Sequence, residues 1–291
     1  MKKYRVIDFH THIFPDRVAP LAIQNLCERA NAINYYDGTV DGLISDMAEK
    51  GIDLSICLPV ITNPRHTISI NNYAIDVNTR YKGKLISFGG IHPDYDDNLN
   101  EIDRLIDNGI IGIKLHPVYQ ACDIANEKYL SVMEYALRKG MYITIHAGLD
   151  PGFPGDKKSS VDRLYEMLKK LKERNVSTSR IILAHTGGLY EWEDVLEKIA
   201  GSDVYFDMSM TLGKMINRDG VVTDLSSNEL FEKIVKKHGS NKILAGSDNP
   251  WTNSKDIIIN INKLNLSDDE KEDILFKNAL GILSECGVLG E

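Results

Sequence analysis

Cysteine is scarce in this chain, and no cysteine pair has the spacing of a metal or redox motif. The four cysteines among 291 residues lie far apart, and none belongs to a C-x-x-C pair. Disulfide-rich secreted domains and zinc ribbons depend on such pairs, so the pattern favours a cytoplasmic protein with reduced thiols. The four residues are Cys27, Cys57, Cys122 and Cys286.

Long apolar runs and an excess of basic residues are also missing. No stretch reaches the roughly 18 apolar residues of a membrane span, so we expect no membrane partner. The start of the chain, MKKYRVIDFH, is interrupted by Asp8 and His10, unlike a signal peptide. With 34 Lys+Arg against 42 Asp+Glu the net charge is −8, which argues against a nucleic-acid partner. We therefore expect a small-molecule ligand, and homo-oligomerisation is left open.

The hydrophobic pattern alternates between short apolar runs and longer helical segments. Eight such pairs in under 300 residues predict an α/β fold, a distorted (β/α)8 TIM barrel forming one domain over residues 1–291. A doubly wound open sheet is the alternative, but no G-x-G-x-x-G or Walker motif supports it. Ile13–Thr39 is predicted to be irregular and long enough to act as a lid. The predicted strands are Tyr4–Phe9, Leu54–Val60, Leu85–Ile91, Ile110–Leu115, Tyr142–Ile145, Ile181–Ala184, Val204–Met208 and Ile243–Gly246.

Polar residues follow several of these strands at the point where each ends. In a barrel the active site lies at the carboxyl ends of the strands, so we expect these side chains to converge. His10 and His12 are two residues apart and therefore face the same side of one strand. Together with His146 and Asp248 they supply three imidazoles and a carboxylate, a set that suits one divalent cation such as Zn²⁺. The remaining residues of this kind are Lys114, His116 and His185.

The order of the motifs resembles a known family. VIDFHTHIFP, GIKLHP, ITIHAG, LAHTGG and AGSDNPW occur in this sequence along the chain, followed by the closing segment LSDDEKEDILFKNALGIL. Together they resemble the amidohydrolase superfamily, in the branch of TIM-barrel metal-dependent hydrolases that includes aminocarboxymuconate semialdehyde decarboxylase. The resemblance covers nearly the whole chain and does not identify the substrate.

The resemblance implies a role for each matching residue. It implies that His10, His12 and His146 bind the metal, and that Asp248 both binds the metal and handles a proton. It implies that His185 is a catalytic residue or a ligand of a second metal.

Three further residues have more than one interpretation. Lys114 lies in KLHP, which is similar to the KLYP of dihydroorotases, where a carbamylated lysine bridges two metals. In the alternative interpretation, Lys114 pairs with a carboxylate of the protein or of the substrate. His116 lies on the same side as Lys114 by strand alternation, and we expect a substrate-binding, supporting or purely structural role. Trp251, three residues after Asp248, is a candidate for the pocket wall.

This residue set predicts hydrolysis. A metal-bound hydroxide is available at neutral pH because the metal lowers the pKa of its water towards about 7. Asp248 would accept the proton, and His185 would polarise a carbonyl of a small, anionic amide, ester or lactone. The alternative is a lyase, a metal-dependent decarboxylase or hydratase of an unsaturated or aromatic carboxylic acid, because the same site suits that chemistry. A third interpretation is an inactive metal-binding barrel.

Overall fold

The computed structural model describes residues 4–289, which contain strands and helices in alternation. The strands are β1 (Ile7–Thr11), β2 (Leu54–Cys57), β3 (Leu85–Ser87), β4 (Gly89–Gly90), β5 (Gly112–Leu115), β6 (Tyr142–Ile145), β7 (Ile181–Leu183), β8 (Tyr205–Asp207), β9 (Lys214–Ile216), β10 (Val222–Asp224) and β11 (Ile243–Leu244). The α-helices are α1 (Ala19–Ala30), α2 (Val40–Lys50), α3 (Thr67–Arg80), α4 (Asn98–Asp107), α5 (Glu127–Arg138), α6 (Val161–Glu173), α7 (Trp192–Lys198), α8 (Asn228–His238), α9 (Lys255–Lys263), α10 (Asp268–Glu272) and α11 (Asn278–Glu285). A π-helical segment, Asp273–Lys277, joins the last two helices.

These residues fall into two compact units. Unit 1 contains residues 4–57, 83–86 and 207–289, and unit 2 contains residues 58–82 and 87–206. The single domain expected over 1–291 stays a prediction, and its ends, residues 1–3 and 290–291, lie outside the described part of the chain.

Unit 1 is organised around β1. This strand is parallel to β2 in a sheet of order β1-β2-β3. The Phe9 N–H donates to the carbonyl of Ala245 at 2.8 Å, so the chain that follows β11 runs beside β1. Unit 1 also contains an antiparallel hairpin of β9 and β10, which the hydrophobic pattern did not predict.

Unit 2 contains parallel strands in the order β8-β7-β6-β5-β4, with β8 represented by Tyr205 and Phe206. Lys114 on β5 is in register with Gly90 on one side and Thr144 on the other. The residues of β5, β6 and β7 are all buried, as expected for parallel strands covered on both faces.

Helix α2 illustrates how local sequence sets the boundaries. The Thr39 hydroxyl accepts a hydrogen bond from the Gly42 N–H at 3.0 Å, which satisfies a donor of the first turn. The helix ends at Gly51, whose φ of 78° is a left-handed conformation that glycine adopts without strain. These signals explain why the predicted and observed bounds, Val40–Lys50, agree.

The expectation of an irregular segment over Ile13–Thr39 is wrong. Helix α1 occupies twelve of these residues and buries Ala19, Ile23 and Cys27, which recur every four residues on one face. The start of α1 is difficult to predict from the sequence, because Val18, the residue before the helix, has no side-chain acceptor for the N–H groups of the first turn.

Candidate active site

The sequence-predicted site residues are divided between the two units. His10, His12, Asp248 and Trp251 belong to unit 1, and Lys114, His116, His146 and His185 belong to unit 2. The structure brings three of the four predicted metal ligands together in unit 1. The fourth, His146, is grouped with His116, His185 and an aspartate in unit 2, and its place among the ligands stays a prediction.

The three grouped side chains, here called the His10 cluster, are His10, His12 and Asp248. Their ligand atoms all lie within 4.8 Å of one another. His12 Nε2 is 2.9 Å from Asp248 Oδ1, and His10 Nε2 is 3.3 Å from the same oxygen. The two Nε2 atoms are 3.2 Å apart. The three donor atoms therefore form a compact triangle.

The His10 cluster fits a divalent cation. Ligands about 2.1 Å from a tetrahedral zinc ion are roughly 3.4 Å from one another, close to the edges of this triangle. The two imidazole planes are inclined at 67°, so their nitrogen lone pairs can point at a common centre. Two imidazoles and a carboxylate are also the donor types that zinc and similar metals accept.

Backbone hydrogen bonds hold the two segments that carry these ligands. The Asp248 N–H donates to the His10 carbonyl, and the His12 N–H donates to the Asn249 carbonyl, each at 2.8 Å. Asp248 has a φ of 72°, a left-handed conformation that is unusual for a residue other than glycine. The Trp251 N–H donates to the Asp248 carbonyl at 2.9 Å and closes the turn that contains the carboxylate.

A second carboxylate, that of Asp207, lies next to the Nδ1 atom of His10. His10 Nδ1 lies 3.0 Å from Asp207 Oδ2, on the opposite side of the ring from Nε2. The Ser209 hydroxyl is 3.1 Å from His10 Nδ1 and donates to Asp207 Oδ1. Sequence reasoning missed both residues, because Asp207 lies inside the apolar run VYFDM, which was predicted to be a strand over Val204–Met208. An acid inside a predicted apolar strand carries no local signal of such a role.

Asp8 is a third buried acid of unit 1, also missed. Its carboxylate accepts hydrogen bonds from the His10 N–H and from Ser247. Burial raises the pKa of Asp8 to about 7, while the hydrogen bonds from Ser247 and His10 act in the opposite direction. The side chain is fully buried.

In unit 2 two predicted residues contact each other directly. His185 Nε2 lies 3.0 Å from His146 Nδ1, so each ring fixes the orientation of the other. The Trp192 indole N–H donates to the carbonyl of His185 at 3.0 Å. His185 itself has a φ of 57°, and the hydrogen bond from Trp192 helps to hold this unusual backbone.

His116 and Asp150 complete this group. The His116 and His146 rings are stacked, with centroids 4.1 Å apart and planes inclined by 9°. Asp150 Oδ2 lies 3.5 Å from His116 Nε2 and 3.8 Å from His146 Nε2. The ligand atoms of His116, His146 and Asp150 also lie within 4.8 Å of one another, so this buried group has the spacing of a second candidate metal site. Lys114, next to this group in sequence, is 1% exposed.

The sequence and the fold of this chain resemble those of known proteins. The sequence profile of the Amidohydrolase family matches residues 7–283. No curated protein matches the sequence. Solved structures that resemble this fold include an uncharacterized TIM-barrel protein from Bordetella bronchiseptica, with a TM-score of 0.73, 15% identity and coverage of 97% of this chain and 99% of that chain.

Two similar structures are decarboxylases. The 2,6-dihydroxybenzoate decarboxylase from Rhizobium has a TM-score of 0.70, 13% identity and coverage of 97% and 99%. The 5-carboxyvanillate decarboxylase from Novosphingobium aromaticivorans, solved with bound manganese, has a TM-score of 0.70, 12% identity and coverage of 97% of both chains.

These findings confirm the predicted TIM-barrel fold class and the resemblance stated from the motifs. They also confirm that the protein is a metal-dependent enzyme of the amidohydrolase type. Between residues 4 and 289, no helix combines the length and the apolar character needed to cross a bilayer. The chain belongs to the Amidohydrolase family.

Proposed function

We propose that the protein is a metal-dependent hydrolase of a small, anionic amide, ester or lactone. The observation that carries the proposal is the position of Asp248, whose Oδ1 lies 2.9 Å from His12 Nε2 and 3.3 Å from His10 Nε2. One carboxylate therefore stands where it can serve both as a ligand and as a proton acceptor. The proposed cofactor is one divalent cation, Zn²⁺, held by His10, His12 and Asp248, with His146 as the further predicted ligand.

A cation bound there would act as a Lewis acid and make a water nucleophilic at neutral pH. The protein contributes the groups around it. Asp248 accepts a proton with the carboxylate oxygen that does not face the imidazoles, and later delivers this proton to the leaving group. The turn that contains Asp248 is fixed by the hydrogen bonds to His10 and Trp251, so the carboxylate is oriented before the substrate binds.

His185 is the proposed electrophilic residue. Its ring is oriented by the 3.0 Å contact with His146, and a fixed imidazole can polarise a substrate carbonyl and stabilise the charge that develops on its oxygen. The anionic character of the substrate stays a prediction from the lysine of this residue set, Lys114, whose side chain is 1% exposed. A cytoplasmic location stays a prediction from the cysteine pattern.

Decarboxylation of an aromatic or unsaturated acid is the second candidate. The specific observation in its favour is that two of the similar structures are decarboxylases of substituted benzoates. The same residues suit this chemistry, because Asp248 can deliver a proton to the carbon from which CO₂ leaves. Hydrolysis is the preferred candidate, because Asp248 and His185 are sufficient for it. Decarboxylation would need further residues to hold an unsaturated acid.

Product analysis separates the two candidates. The zinc-loaded protein is incubated in H₂¹⁸O with a panel of small amides, esters and lactones, and in parallel with hydroxybenzoate-like and muconate-like acids. Hydrolysis places ¹⁸O in a carboxylate product and retains both fragments, whereas decarboxylation releases CO₂. We expect zinc-dependent ¹⁸O incorporation that is lost in Asp248→Asn. Metal-dependent CO₂ release without hydrolysis of any panel member would favour the decarboxylase.

A further inference from the structure

Asp207 contacts His10 on the side of the ring that faces away from the other two members of the His10 cluster. His10 Nδ1 is 3.0 Å from Asp207 Oδ2, while His10 Nε2 is 3.3 Å from Asp248 Oδ1. The two nitrogens of one imidazole therefore face two different carboxylates. Which nitrogen carries the proton decides whether His10 can offer Nε2 as a ligand.

We infer that Asp207, held by Ser209, is a positioning residue that keeps the His10 proton on Nδ1 and so reserves the Nε2 lone pair for the cation. This inference rests on the proposed cation site. An anionic acceptor beside Nδ1 attracts the ring proton to that nitrogen, and the hydrogen bond also fixes the plane of the ring.

Polar contacts at both carboxylate oxygens fix the side chain of Asp207. Oδ2 lies 3.0 Å from His10 Nδ1, and Oδ1 accepts from the Ser209 N–H at 3.1 Å and from the Ser209 hydroxyl. Asp207 and Ser209 are both 0% exposed. A buried carboxylate that accepts several hydrogen bonds is held in one orientation, and so is the imidazole that it contacts.

Gly246 supplies an independent observation. A Cβ built on Gly246 would lie 3.1 Å from His10 Cβ, 3.3 Å from Asp207 Oδ1 and 3.4 Å from Ser209 Cβ. The chain after β11 therefore packs against all three members of the His10–Asp207–Ser209 arrangement. The close packing leaves little room for another rotamer of Asp207, so the contact is built into the fold around it.

Replacement of Asp207 by asparagine gives a sharp test. A carboxylate offers two acceptor oxygens, but an amide offers one acceptor and one donor, so it cannot serve His10 and Ser209 as before. If the amide NH₂ faces His10, it donates to Nδ1 and drives the ring proton to Nε2, which removes the ligand lone pair. Loss of such a supporting carboxylate typically lowers metal affinity by about 10–100-fold.

Three variants of the full chain are compared with the wild type: Asp207→Asn, Ser209→Ala and Asp224→Asn. Asp224 is the matched control, because it is an exposed aspartate on the β9–β10 hairpin. The Zn²⁺ dissociation constant is measured by competition with a chromogenic chelator, and the His10 tautomer is read from the ¹⁵N chemical shifts of the metal-free protein. Urea denaturation confirms that each variant is folded.

We expect Asp207→Asn to raise the Zn²⁺ dissociation constant by about 10–100-fold and to shift His10 from the Nδ1–H to the Nε2–H form. Ser209→Ala should show a smaller change in the same direction, and Asp224→Asn should match the wild type. An unchanged His10 tautomer and an unchanged dissociation constant in folded Asp207→Asn would overturn the inference. If Asp207→Asn does not fold, the Nε2–H form of His10 in the metal-free wild type would overturn it instead.

The outcomes separate this inference from the proposed function. A wild-type protein that binds no Zn²⁺ contradicts the proposed site, whatever the tautomer of His10. A wild-type protein that binds Zn²⁺ with the proposed ligands, while Asp207→Asn changes neither measurement, contradicts only the inference. Because neither readout uses turnover, the choice between hydrolase and decarboxylase does not affect the result.

Discussion

The Asp8 carboxylate accepts two hydrogen bonds from Ser247, one from the backbone N–H at 2.9 Å and one from the hydroxyl at 2.6 Å. It accepts a third hydrogen bond from the His10 N–H at 3.1 Å. One buried side chain therefore connects the strand that carries His10 to the loop that carries Asp248. We expect the geometry of the His10 cluster to depend on this connection.

Asp8→Ala is expected to destabilise the fold. The substitution leaves three buried donors without their acceptor, and each unsatisfied group costs about 1–3 kcal/mol, so the free energy of unfolding should fall by at least about 2 kcal/mol. Urea denaturation of the metal-free protein measures the change. Asp219→Ala is the control, since Asp219 is exposed and accepts a hydrogen bond from Asn31. Equal midpoints for the two variants would contradict the connecting role of Asp8.

Gly246→Ala should disturb the cation site through packing alone. The added methyl group would lie 3.1 Å from His10 Cβ and 3.3 Å from Asp207 Oδ1, and overpacking of this kind costs about 1–3 kcal/mol. We expect a lower free energy of unfolding and weaker Zn²⁺ binding. Gly281→Ala is the matched control, because a Cβ there meets nothing within 4 Å and alanine favours the helix. Wild-type Zn²⁺ affinity in Gly246→Ala would argue against the tight packing around His10.

Asp248→Asn and His185→Asn should separate chemistry from cation binding. Asp248→Asn keeps an oxygen near the imidazoles but removes the base, so turnover should fall by about 10²-fold or more while the fold survives. His185→Asn should also lose turnover but retain the cation. The measurements are the initial rate on the best panel substrate and the metal content of the purified variants. Loss of all metal from His185→Asn would identify His185 as a ligand instead.

Lys114 should be unmodified, and the protein should hold one cation. The His10 cluster supplies converging ligand atoms from unit 1 without any lysine, so a bridging carbamate is not required. Incubation of the zinc-loaded protein with ¹³C-bicarbonate should give no carbamate signal in the ¹³C spectrum. A carbamate signal that disappears in Lys114→Ala, together with two zinc ions per chain, would identify the binuclear arrangement.

Parts of the site could be predicted from the sequence because strand alternation and strand ends are local properties. The two-residue spacing of His10 and His12 predicted that the two imidazoles lie close together, and their Nε2 atoms are 3.2 Å apart. Asp207 and Asp8 could not be found in this way, because an acid within an apolar run has no local signal that distinguishes a ring-orienting carboxylate from an ordinary strand residue. Their role depends on contacts with residues about 200 or more positions away in the chain.

In the fold, too, the features that follow from short-range sequence patterns could be predicted, and other features could not. The alternation of apolar runs predicted the order of the strands and the bounds of α2, both of which follow from short-range patterns. Helix α1 was missed because it lacks a polar cap, and its residues were included in the irregular segment predicted over Ile13–Thr39. The β9–β10 hairpin was missed because its strands are exposed and contain no apolar alternation that points to a core.

The most direct test of the account is the zinc content of the wild-type protein beside that of a variant with both His10→Ala and His12→Ala. Both proteins are loaded with excess Zn²⁺, dialysed and analysed for zinc per chain, with circular dichroism to confirm that each is folded. We predict one zinc ion per wild-type chain and none in the double variant. Full occupancy in the folded double variant would show that the cation site lies elsewhere and would contradict the central claim.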